Sequence, residues 1–76
     1  MINSMMIRVI IEESVVGFDV NALEDEMSFQ EAGIDSLDHA NILFTIEDQF
    51  KVKIPNEAVD ICSSIKGIVE YLINNK

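Results

Sequence analysis

Ser36 stands between Asp35 and Leu37, just after Gly33-Ile34, where the pattern of the chain turns from loop to helix. The Asp35 carboxylate suits the N-cap position, accepting from backbone N–H groups two or three residues further on. Ser36 then becomes the first helical residue, with its hydroxyl pointing outward at the positive end of the helix. Orphan N–H groups and the helix dipole both favour negative charge there, so the position suits a phosphate. His39 lies three residues on and offers a base on a neighbouring helical position. A serine hydrolase needs more than this pair: an acid to orient the histidine and an oxyanion hole facing the substrate. Ile34-Asp35-Ser36-Leu37-Asp38 also lacks the G-x-S-x-G elbow. The pattern presents a hydroxyl without activating it.

The elements that must position this hydroxyl are helical. Ile7, Ile10, Ile11 and Val15 recur on one face and predict a first helix over Met5–Val16, ended by Gly17. Residues 18–35 form a long connection, with Asn21, Leu23, Met27, Phe18 and Phe29 as its possible anchors. A second helix runs from Ser36 to Phe50 or Lys51. Leu37, Ala40, Leu43, Phe44, Ile46 and Phe50 form its apolar arc, opposite Asp38, Asn41, Thr45, Asp48 and Gln49. Ile54-Pro55 interrupts the pattern, and Asn56 offers a cap for a short helix through Val59 and Ile61. Ser63 or Ser64 can cap a last helix carrying Ile65, Ile68, Val69 and Leu72, with Asn74-Asn75-Lys76 fraying beyond it.

Composition narrows the function. Seventy-six residues make one domain, 1–76, with a marginal core. A single Cys and a single His exclude an internal disulfide and a Cys/His metal cluster, so folding must rest on the 49% hydrophobic content. Fourteen acidic against five basic residues give a formal charge of −9. That sign excludes counterion release from nucleic acid and attraction to an anionic membrane. It favours monomeric behaviour and steers encounters with proteins that present basic patches. Met1-Ile2-Asn3-Ser4-Met5-Met6 has no basic n-region or cleavage site, and no apolar run reaches membrane-spanning length, so a cytoplasmic location is expected.

Gly33-Ile34-Asp35-Ser36-Leu37-Asp38, the run Ile42-Leu43-Phe44-Thr45-Ile46-Glu47-Asp48-Gln49-Phe50 and Ile54-Pro55 together resemble the acyl carrier protein family, from Met6 to about Leu72. The resemblance implies an all-α, up-and-down bundle of three main helices and one short helix with a long first loop. It implies 4′-phosphopantetheine on Ser36, installed by a phosphopantetheinyl transferase and used to carry acyl groups as thioesters without catalysis by the domain itself. It also implies docking of acyl-loading and acyl-transfer enzymes, through their basic patches, on Asp35, Leu37, Asp38, Glu47 and Asp48. Taken by themselves, these acids also fit an ordinary solvated face.

Other readings of the same residues stay open at this level. A stand-alone aminoacyl or peptidyl carrier fits the stretch Ser28–Ser36 equally well, and an acidic adaptor without pantetheine fits the charge. Leu37, Phe44 and Ile54 are either core or the lining of an acyl channel. Asn41 and Ala32 depart from the family's usual acidic residue and leucine, which points to a specialised lipid, polyketide or related pathway. Cys62 reads as a small buried hydrophobe. Glu24-Asp25-Glu26 does not belong to an EF-hand loop, whose pattern is absent.

Overall fold

The computed structural model describes residues 2–74, and among them every regular element is helical. α1 spans Ser4–Ser14, α2 spans Ser36–Phe50 and α3 spans Ile65–Asn74, with 3₁₀ turns at Val20–Ala22 and Asn56–Ala58. α1 is the middle helix. It packs against both α2 and α3, which do not approach each other closely along their backbones.

α1 begins where the Asn3 side chain accepts from the Met6 N–H at 3.0 Å. It stops at Ser14, short of the expected Val16, because Val15 turns to extended backbone at φ −117°. The β-branched Val15-Val16 pair gains little from helix, and Gly17 follows at φ +80°. Ile7, Ile10, Ile11 and Val15 are buried, as their spacing predicts. α3 is capped by Ser64, whose Oγ accepts from the Gly67 N–H at 3.0 Å, whereas Ser63 donates to the Asp60 carbonyl. Asn74, expected to fray, is instead the last residue of α3; Asn75 and Lys76 lie outside the described residues together with Met1.

The apolar arc of α2 differs from the expectation. Ile42, Leu43 and Ile46 are buried, but Leu37 and Phe44 are 71% and 66% exposed. At about 100° per residue both fall close to half a turn of the helical wheel from Ile46, on the solvent side. They are therefore neither core nor the lining of an internal channel. Ile54 is half-buried against the core.

The long loop is more ordered than its lack of periodicity suggested. Val20, Leu23, Phe29 and Ile34 sink into the core, while Asn21 is exposed on the 3₁₀ turn that Asp19 caps. Arg8 donates to the Val20 carbonyl at 2.8 Å and pairs with Asp25 at 2.6 Å, fastening the loop to α1. Lys66 pairs with Glu26 at 3.1 Å from the α3 side. Such exposed pairs typically contribute about 0–1 kcal/mol each, so the four buried side chains do most of the anchoring.

The connector after α2 contains one 3₁₀ turn in place of the expected short helix. Pro55, not Asn56, occupies its N-cap, with no side-chain cap bond. The chain then closes one wider turn, from the Cys62 N–H to the Ala58 carbonyl at 3.0 Å. α3 follows so soon that no second full helix fits between them.

Candidate functional site

The site begins with a turn that aims the chain. Ser28 and Glu31 cap each other: the Ser28 Oγ accepts from the Glu31 N–H at 3.2 Å, and the Glu31 carboxylate accepts from the Ser28 N–H at 3.3 Å. Gly33 closes the turn at φ +88°, a region open to glycine, and the Ile34 N–H returns to the Phe29 carbonyl at 2.9 Å. Ile34 then faces the core and Asp35 faces water. Ala32 is half-buried and packs on the core from within this turn.

Asp35 is the N-cap of α2. Its backbone is extended (φ −78°, ψ 175°), and its carboxylate accepts from the Asp38 N–H at 2.8 Å. Its carbonyl takes the His39 N–H at 2.9 Å. Ser36 is thus the first helical residue and is exposed. The N–H groups of Ser36 and Leu37 have no acceptor among the described residues, as the first turn of a helix dictates. A hydroxyl in solvent beside two orphan N–H groups can take a phosphodiester without burying its charge.

Beside Ser36 lies an open hollow of about 530 Å³. Its walls are the turn at residues 28–30, His39 in α2, and Val59, Asp60 and Ser63 in the connector. Apart from His39, sequence reasoning did not assign these wall residues to the site. The turn carries a readable signal in its Ser-x-x-Glu box, whereas the connector residues carry none, because they arrive through the path of the backbone.

His39 does not serve Ser36 as a base. Its Nε2 lies 3.0 Å from the Cys62 carbonyl, its ring meets Phe29 edge-on at 5.2 Å, and no hydrogen bond joins it to the serine. The proposed docking residues separate into groups. Asp35 and Leu37 are exposed around Ser36, Asp38 is half-buried, and Asp48 is exposed near the far end of α2. Glu47 is turned to internal work, accepting from the Ile54 N–H at 2.6 Å.

Cys62 is fully buried, and desolvation pushes its thiol up to about 11. It is therefore protonated and enclosed at neutral pH, as expected of a small hydrophobe. No group of three or more His, Cys, Asp or Glu among the described residues is placed to hold a metal. No described helix is long and apolar enough to cross a membrane.

Comparison with known proteins agrees with this geometry. The family described as "Phosphopantetheine attachment site" matches residues 7–72. The mitochondrial acyl carrier protein of Dictyostelium discoideum is 42% identical over 45 residues, covering 59% of this chain and 38% of that protein. The chain thus aligns with well under half the length of this curated relative. Since the family match runs from α1 to near the end of α3, the chain belongs to the phosphopantetheine-attachment family, whose members hold 4′-phosphopantetheine covalently.

Proposed function

We propose that Ser36 is the residue that carries 4′-phosphopantetheine, and that the domain delivers thioester-bound acyl groups to separate enzymes while catalysing nothing itself. The observation that supports this most is the exposed hydroxyl at the first position of a helix already capped by Asp35. In the loading step the Ser36 oxygen bonds to the pantetheine-bearing phosphorus of coenzyme A. The diphosphate bond breaks, adenosine bisphosphate leaves, and the hydroxyl proton passes to a base on the transferase. The chain's own part is to present the oxygen and to offer the Ser36 and Leu37 N–H groups to the product's negative charge.

Docking falls to Asp35, Leu37 and Asp38 around the serine, with the exposed ring of Phe44 and the Asp48 carboxylate further along the same helix. The acids would steer a basic partner, and Leu37 and Phe44 would give it apolar surface to cover. Glu47 contributes charge while holding the Ile54 N–H. We read the pathway as specialised, because Asn41 is exposed on α2 where an acidic residue would strengthen the charge.

The test is modification by a phosphopantetheinyl transferase with coenzyme A, located by fragmentation mass spectrometry. One group is expected on Ser36, none on a folded Ser36→Ala variant, and a loading rate that falls as salt is raised. Because Cys62 is enclosed, the folded apo protein should show no fast-reacting thiol near neutral pH, and the loaded protein one. Modification elsewhere, or none with several transferases, removes the assignment. For the pathway, Asn41→Glu should raise elongation by a general fatty-acid synthase up to a few-fold. No gain over a wild type that already elongates at full speed removes the specialised reading.

A further inference from the structure

We propose that His39 is a positioning residue for Ser36, tying the first turn of α2 to the other two walls of the hollow beside the serine. This rests on the reading of Ser36 as the modified residue. His39 follows Ser36 by one turn but points to the opposite task, on the inner side of α2 with Ile42 and Ile46. A carbonyl oxygen only accepts, so the 3.0 Å contact with Cys62 requires a proton on the His39 Nε2. The same ring stands edge-on to Phe29, at 79° between planes, and the Phe29 N–H donates to the Ser63 carbonyl at 2.8 Å.

These contacts form a closed circuit. It runs from α2 through His39 to the connector at Cys62, on to the neighbouring Ser63, across to the turn at Phe29, and back to the imidazole. Each member belongs to a segment that walls the hollow containing Ser36. Phe29 and Ser63 join the turn to the connector without help from α2. His39 is the side chain that brings the start of α2 into register with both. An enzyme acting on Ser36 must seat its oxygen in line with a phosphorus, and small misplacement of a reacting group lowers the rate steeply. His39 acts on that placement and does not touch the hydroxyl.

Two variants separate placement from packing. His39→Leu keeps a similar volume and loses the donor, while His39→Gln keeps an amide donor on a planar group. For His39→Leu we expect the kcat of pantetheine transfer to fall about two- to ten-fold, the size of one lost neutral hydrogen bond, with KM little changed. Amide exchange should quicken at residues 28–30 and 59–63 and stay slow in α1. His39→Gln should recover most of both effects. If His39→Leu fails to fold, His39→Asn replaces it, since its shorter amide falls short of the Cys62 carbonyl. Wild-type kcat in the variant without a donor, equal loss in both variants, or a slower transfer with unchanged exchange overturns the proposal. The exchange measurement needs no transferase, so it decides the role of His39 even where a wild type unmodified at Ser36 would defeat the carrier assignment.

Discussion

The segment leading into α2, residues 15–35, is held by side chains. Val20, Leu23, Phe29 and Ile34 are each buried in the core, and the Val20 and Asp25 carbonyls accept from the Arg8 side chain and the Lys66 N–H. The segment leading out, residues 51–64, buries the smaller side chains of Ala58 and Cys62 and is held in addition through its backbone. The Ile54 N–H is bound by Glu47, the Lys53 carbonyl by the Tyr71 hydroxyl, the Cys62 carbonyl by His39 and the Ser63 carbonyl by the Phe29 N–H. The Ile61 carbonyl lies so close to α3 that a Cβ on Gly67 would sit 1.9 Å from its oxygen. The first segment depends on volume and the second on approach. Damage should therefore take a different form in each.

The largest effect is expected on the side-chain-held segment. Phe29→Ala empties a site that is 1% exposed and also removes the ring that faces His39, so it should cost about 3–5 kcal/mol. For a chain with a marginal core that approaches the whole stability, and denaturant titration should find the domain largely unfolded. A loss below about 1 kcal/mol would mean that the loop is fastened by its polar bonds instead.

A pair of glycine substitutions sharpens the contrast at smaller size. Gly67→Ala should cost about 1–3 kcal/mol, because the new methyl must displace backbone, although alanine is the better helix former. Gly33→Ala has nothing within 4 Å of its Cβ and loses only the freedom to hold φ +88°. About 1 kcal/mol is expected there, and less for Gly33→Asn, which tolerates positive φ better. If Gly33→Ala proves the more damaging, the entry turn is sterically tight and the division between the two segments fails.

The same division decided what was legible in the sequence. Ser36, its Asp35 cap and the extent of α2 were readable, since capping and helical periodicity are local. Leu23 and Phe29 were recognisable as apolar residues in a polar loop. Val20 and Ile34 were not singled out, because a loop has no period to mark its inward residues. Leu37 and Phe44 were placed on the apolar arc, as core or channel lining, by residue type, although their angular distance from Ile46 already placed them outside. The connector was the least legible part. Its bonds use carbonyl and N–H groups that nearly every residue possesses, so nothing in its composition announced that Cys62 and Ser63 would meet His39 and Phe29.

The charges at the two ends of α2 have a mechanical consequence. Near the far end, Glu47 and Asp48 stand against Lys51 and Lys53, and the four cancel formally. At the near end Asp35 and Asp38, joined by Asp60 across the hollow, have no lysine or arginine among the residues around Ser36. Fifteen residues of helix separate the two ends, roughly 22 Å at 1.5 Å per residue. The charges on and beside α2 are thus uneven along it, in a chain that is negative overall. On the proposed docking reading, this asymmetry along α2 would add a turning force to the pull of a positive partner, favouring encounters at the serine end.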